Sequence, residues 1–173
     1  NPCRSRRATP GDIAAVVPLY LDLHPAVLLD ARIGLPSSRI VEAWRCVRIF
    51  WDSWNSTQEG GRWHLLECAS GLVGSALARP AAGGYEVDFL WRTSHAQAGT
   101  QFTAEFLDGL NAPCDMRIAQ TDAWKLTEAL RLGFRPLPGA EEDAVIQGQN
   151  FSLRRFRRGG PGLTATAPQR TGP

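Results

Sequence analysis

The sequence predicts a mixed α/β domain, a partly antiparallel central sheet flanked by helices. Three observations carry that prediction. Segments of helical and strand period follow one another in the order β-α-α-β-β-β-α-β-α-β-β. Residues 62–92 read as a three-strand meander punctuated by Ser70-Gly71 and Gly83-Gly84. A chain of 173 residues, 43% apolar and 21% charged, suits one domain with a core large enough to need no structural metal or disulfide. We expect the domain over residues 3–158 and a disordered tail over 159–173, where Gly, Pro, Thr and Ala dominate.

The elements follow in order. Residues 3–8 form a first strand. Thr9-Pro10-Gly11-Asp12 is a helix start, with Thr9 as N-cap, Pro10 at the first helical position and Asp12 at the third. Ile13, Val16, Val17, Tyr20 and Leu21 then share one face, Pro18 should kink the helix, and Pro25 helps end it. Residues 25–37 read as an ordered loop. Ser37 or Ser38 caps a second helix, whose apolar face is Ile40, Val41, Trp44, Val47, Trp51 and Trp54. Three Trp on one stripe read first as core, and second as a substrate-facing wall.

Residues 62–69, 71–79 and 85–92 are the meander strands. In the third, Tyr85, Val87, Phe89 and Trp91 alternate with Glu86, Asp88, Leu90 and Arg92. A helix follows over 98–110, with Phe102, Phe106, Leu107 and Leu110 inward. Residues 115–121 form a strand with Met116 and Ile118 on one face. Thr121 caps a helix that runs to Leu132 and stops at Gly133. Residues 134–137, 143–147 and 151–157 read as closing strands around a Gly-Gln-Asn turn.

Charge and cysteines bound the function. The formal net charge is +2, and 18 of the 19 basic residues are Arg, with Lys125 the one exception. Residues 8–153 hold 11 basic residues against all 17 acids, so an acidic body lies between basic ends. Such a body disfavours nucleic acid and suits a cationic small molecule. Cys3, Cys46, Cys68 and Cys114 are far apart and lack metal-ligand spacing, as do His24, His64 and His95. We read the cysteines as free thiols in a reducing compartment. The chain begins at Asn1, which reads as a trimmed start, and shows no charged-then-apolar leader and no membrane-spanning run. The expected setting is therefore cytoplasmic.

Three stretches carry a resemblance to a known family. Arg7-Ala8-Thr9-Pro10-Gly11-Asp12 resembles its first strand and capped first helix. Gly99-Thr100-Gln101-Phe102 through Phe106-Leu107 resembles the helix behind its pyrophosphate loop. Residues 123–130 followed by Arg131-Leu132-Gly133-Phe134-Arg135 resemble its late helix, which ends in Leu-Gly-Phe. With the element order, residues 4–157 resemble the GNAT superfamily of acyl-CoA-dependent N-acyltransferases. The resemblance implies a GNAT-like sheet and transfer of an acyl group, acetyl first, from acetyl-CoA to a primary amine of a small cationic molecule or peptide. It implies no metal, nucleic acid or membrane partner, and leaves monomer or homodimer open.

The same resemblance implies roles. Glu86 and Asp88, on one face of a strand, would supply the base. Leu90, Trp91 and Arg92 would pair through their backbones with the pantetheine arm. Gln97, Ala98, Gly99 and Thr100 would turn N–H groups to the pyrophosphate. The loop keeps one Gly, with Ser94 and Gln97 where Arg and Gly are common and Arg92 two residues earlier. Ala129 stands where a Tyr is frequent, and Asp122 where an Asn is. A second reading follows from these departures: a GNAT-fold binding or regulatory protein. Trp124 and Lys125 fit the CoA neighbourhood or plain packing and surface. Tyr85 reads as packing and His95 as an exposed loop His. His64 with Cys114 lacks any nucleophile motif.

Overall fold

The computed structural model describes residues 2–23, 39–120, 122–146 and 149–160. The order is β1 (Arg4–Arg7), a 3-10 turn (Pro10–Asp12), α1 (Ile13–Leu23), α2 (Arg39–Gln58), β2 (Arg62–Cys68), β3 (Gly71–Ala81) and β4 (Gly84–Trp91). A 3-10 turn (Thr93–His95), α3 (Ala96–Leu110), β5 (Cys114–Ala119), α4 (Ala123–Arg131), β6 (Arg135–Ile146) and β7 (Gln149–Arg158) complete it. The expected loop at 25–37, its Ser37 or Ser38 cap, the Pro25 helix end and the tail beyond Gly160 lie outside the described residues.

The seven strands lie in the order β1-β2-β3-β4-β5-β7-β6. Every neighbouring pair is antiparallel except β4 and β5. Helices cover both faces. On one, Ile13, Val16 and Leu19 of α1 and Phe50 of α2 pack on Trp63, Leu65 and Leu90. On the other, Phe102, Phe106 and Leu107 of α3 and Ala129 of α4 pack on Val87, Phe89 and Trp91. The expected alternation along β4 thus holds: odd residues face α3 and α4, and Leu90 faces α1 and α2.

Local chemistry explains the ends. Asp12 Oδ2 accepts from Thr9 N–H at 2.7 Å and from Thr9 Oγ1 at 2.8 Å, so the predicted helix start is built as read. Arg6 grips the Asp12 carboxylate with both terminal nitrogens, at 2.8 and 2.6 Å, and Glu67 at 2.8 Å. That pairing holds Asp12 well below the usual carboxylate range. Gly133 takes φ +89° after α4, a conformation that side chains resist.

Four expectations are corrected. Trp51 is 51% exposed, and α2 buries Phe50, Ser53 and Thr57 with Val47 and Trp54 half-buried. The buried stripe is one residue out of phase with the expected one, about 100° of helix rotation. Ile40, Val41 and Trp44 fall where side chains are not described. Asp122, not Thr121, caps α4: its Oδ1 accepts from Lys125 N–H at 3.0 Å. The segments at 134–137 and 143–147 merge into β6, with a register irregularity between Pro136 and Glu141.

The fourth correction concerns sulfur. Cys3 and Cys68 form a disulfide, with Cα atoms 4.2 Å apart. The register Arg4↔Glu67 between β1 and β2 sets these two residues opposite each other. The thiol argument for a reducing compartment therefore fails at this pair. Cys114 is a buried free thiol, pushed up to about 11 by burial. Among the described residues no helix is long and apolar enough to cross a membrane.

The division of charge along the chain is not a division in space. The basic ends are strands β1 and β7, and their arginines meet the body's acids: Arg6 with Asp12 and Glu67, Arg154 with Glu141, Arg157 with Asp115, Arg158 with Asp108. An acid-rich body therefore gives little support to a cationic partner, and the arginine run is bound up within the fold.

His64, half-buried on β2, predicts a pH dependence. Burial, then Arg62 and Arg7, holds its imidazole below the usual value. The unfolded chain then binds a proton that the folded chain does not. Stability is complete above about pH 6.5 and falls as pH drops through that value. Urea unfolding between pH 7.5 and 5.5 should show this loss, and His64→Gln should flatten it.

Candidate active site

The one parallel contact in the sheet is short. β4 and β5 pair at Tyr85↔Cys114 and Glu86↔Asp115, with no register pair beyond Glu86. Both strands continue, β4 to Trp91 and β5 to Ala119, so they splay. Hydrogen bonding shows which groups face the opening. Arg92 N–H donates to Val73 of β3 at 2.8 Å, and Tyr85 N–H donates to Pro113 on the β5 side at 2.9 Å. The β3–β4 register is unbroken, so even residues of β4 bond toward β3 and odd residues toward β5. The backbones at the opening are those of Val87, Phe89 and Trp91. Of the three residues expected there, Trp91 faces it, and Leu90 and Arg92 bond on the other side. Val87 and Phe89 were not foreseen; counting the alternation from the meander turn would have found them.

At the end of β4 the chain makes a 3-10 turn and enters α3. His95 N–H donates to Arg92 O and Ala96 N–H to Thr93 O. Gly99 and Thr100 lie at the fourth and fifth helical positions, where N–H groups bond back within the helix. That leaves Gln97 and Ala98 as the expected N–H groups without an intrahelical partner. The Arg92 guanidinium meets Asp22 of α1 at 3.1 Å. His95 is half-buried, not exposed as expected, and contacts Ser94 Oγ through Nδ1 at 3.0 Å.

Gly99 has a definite task. A Cβ built there would stand closer than 3.0 Å to Cγ, Cδ1 and Cδ2 of Trp91. The first turn of α3 therefore lies directly on the Trp91 indole. Trp91 stacks on Phe89 at 5.2 Å and meets Trp124 edge-on at 5.0 Å. Gly99→Ala should cost roughly 1–3 kcal/mol by overpacking, read by urea unfolding. A neutral result would mean that the helix start yields easily.

The two acids share a face but not a setting. Asp88 is 4% exposed. Its Oδ2 accepts from Tyr20 Oη of α1 at 2.9 Å, and its Oδ1 meets Lys125 Nζ of α4. Lys125 is 6% exposed and lies 5.7 Å from the Phe89 ring centre. Glu86, its side chain 27% exposed, is held by Arg117 of β5 through Nη2 at 2.8 Å and Nε at 3.1 Å. Neither acid faces open solvent alone. The sequence placed Lys125 near the site without its partner, and Tyr20 was missed. Tyr85 packs half-buried on the α3 side, as expected. His64 instead approaches Ser5 Oγ at 3.5 Å.

No family model matches the sequence, and no curated protein does. Solved structures do match in fold. The N-acetyltransferase from Staphylococcus aureus Mu50 has a TM-score of 0.67 at 13% identity, over 92% of this chain and 99% of that one. yncA from Salmonella typhimurium, solved with its cofactor acetyl-CoA, has a TM-score of 0.65 at 16% identity, over 96% and 97%. This chain has the GNAT fold. The spermidine N-acetyltransferase from Vibrio cholerae, in complex with CoA and spermine, shares it with a TM-score of 0.64 at 14% identity, over 91% and 95%. In this GNAT fold the strands splay past Glu86, and α3 starts beyond the end of β4.

Proposed function

We propose that the protein is an N-acetyltransferase that uses acetyl-CoA and a primary amine acceptor. The observation that carries the proposal is the splay of β4 from β5, with the backbones of Val87, Phe89 and Trp91 along the opening and α3 starting at its end. The residues present suit the cosubstrate. A strand edge offers an amide-bearing arm main-chain partners, as an added strand would. Gln97 and Ala98 N–H groups at a helix start suit a pyrophosphate.

When bound, acetyl-CoA supplies the thioester. The chain supplies position and proton transfer. In this reading Asp88 takes the proton of the amine before attack, and Glu86 is the second candidate base. Tyr20 and Lys125 hold the Asp88 carboxylate in one orientation. The acceptor fits a small molecule or peptide amine, a class supported by the fold's spermidine-acetylating member.

The test is binding, then turnover. Acetyl-CoA at about 100 times its dissociation constant should stabilise the protein by about 2.7 kcal/mol. With an amine acceptor present, Glu86→Gln or Asp88→Asn should lose about 100-fold in rate while still binding CoA. No stabilisation at saturating acetyl-CoA removes the proposal. Unchanged rates in both variants remove the base assignment.

A further inference from the structure

Lys125 is the single lysine among 19 basic residues. Every other basic position carries Arg, whose guanidinium stays charged and is no acyl acceptor. The one side-chain primary amine of the whole chain is therefore the one set against Asp88. Its route is unusual. α4 packs on the face of Val87, Phe89 and Trp91, whereas Tyr20, the other partner of Asp88, belongs to the opposite face. Lys125 joins the two faces where β4 and β5 part. Its neighbour Trp124 also packs against both cores, which again requires a gap in the sheet. The amine thus lies within the opening, beside a carboxylate, in a chain that elsewhere avoids lysine.

We propose that Lys125 is an intramolecular acyl acceptor, so that the protein acetylates itself at this one position. The inference rests on the reading that the opening takes acetyl-CoA. The step balances simply. The Lys125 ammonium gives a proton to Asp88. Neutral Nζ attacks the thioester carbonyl carbon, the C–S bond breaks, and the second Nζ proton goes to the departing thiolate. Asp88 releases its proton to water. The products are N-acetyl-Lys125, CoA thiol and one proton. The product lysine is neutral and no longer pairs with Asp88.

The experiment incubates the intact protein with acetyl-CoA and follows the Lys125 peptide by mass spectrometry, while thermal shift with CoA reports binding separately. We expect one acetyl group on Lys125, at a rate independent of protein concentration. It should form about 100-fold faster than in the urea-unfolded chain, the range of a positioned base. Lys125→Arg keeps the charge and should take up no acetyl on residue 125 or elsewhere on side chains. If CoA binds but Lys125 stays unmodified, or reacts no faster than in urea, the inference is overturned and the transferase reading stands. If CoA does not bind, both are overturned. The wild-type comparison depends on no variant folding.

Discussion

Lys125→Met should cost about 3–5 kcal/mol of stability, because it removes the ammonium that pairs with the buried Asp88 carboxylate. Asp88 and Lys125 side chains are 5% and 7% exposed, so water cannot take over the lost contact. The Tyr20 hydroxyl is neutral and does not replace an ammonium. The pair as a whole is a different matter. Two charges taken from water cost nearly what their attraction returns. The double change Asp88→Leu with Lys125→Met should therefore lie much closer to wild type than the single change. Urea unfolding of the three proteins decides this. A loss under about 1 kcal/mol for Lys125→Met would mean that Asp88 finds water, and the buried pair would not describe the protein in solution. The comparison also bears on function, since a pair that is nearly neutral in stability is better explained by a task at the site.

Opening the Cys3–Cys68 bridge should be as costly. The bridge joins residues 65 apart, and a closed loop of that size removes about 4 kcal/mol of unfolded-chain entropy. It pins β1, an edge strand of four residues, to β2. Thermal unfolding with and without reductant, and of Cys3→Ser with Cys68→Ser, should show the same loss. Arg6 still holds Asp12 and Glu67, so β1 should remain paired in the reduced protein. Equal stability in both redox states would mean that the two thiols are not bridged. Cys114 does not confuse the reading, because it is buried and its thiol titrates near 11.

What was legible in the sequence was local or periodic. Strict alternation placed Val87, Phe89 and Trp91 on one side of β4 and Leu90 on the other, and both cores confirm it. The Thr9–Asp12 start and the Gly133 stop are short-range chemistry and were readable as such. The misses share one cause: each depends on something distant. Hydrophobicity favoured Trp51 for the core, but α2 turns Ser53 and Thr57 inward, and Thr57 Oγ1 satisfies itself on the Trp54 carbonyl at 2.6 Å. Cys3 meets Cys68 only through strand register. Asp88 meets Tyr20 and Lys125 across 68 and 37 residues. One signal for Lys125 was present all along, its being the lone lysine, although nothing local said which acid it would meet.

The geometry of the candidate site was half legible. The sequence indicated β4, its two acids and the start of α3. It put Leu90, Trp91 and Arg92 at the opening, where the Arg92–Val73 and Tyr85–Pro113 hydrogen bonds set Val87, Phe89 and Trp91. Nor did it show that Gly99 serves the Trp91 indole as well as the loop.

The central claim is that the opening between β4 and β5 receives acetyl-CoA. Amide hydrogen exchange, measured with and without saturating CoA, tests it most directly. New protection is expected at Val87, Phe89 and Trp91 on β4 and at Gln97 and Ala98 at the start of α3. Unchanged exchange at these amides, or protection confined to other elements, would contradict it.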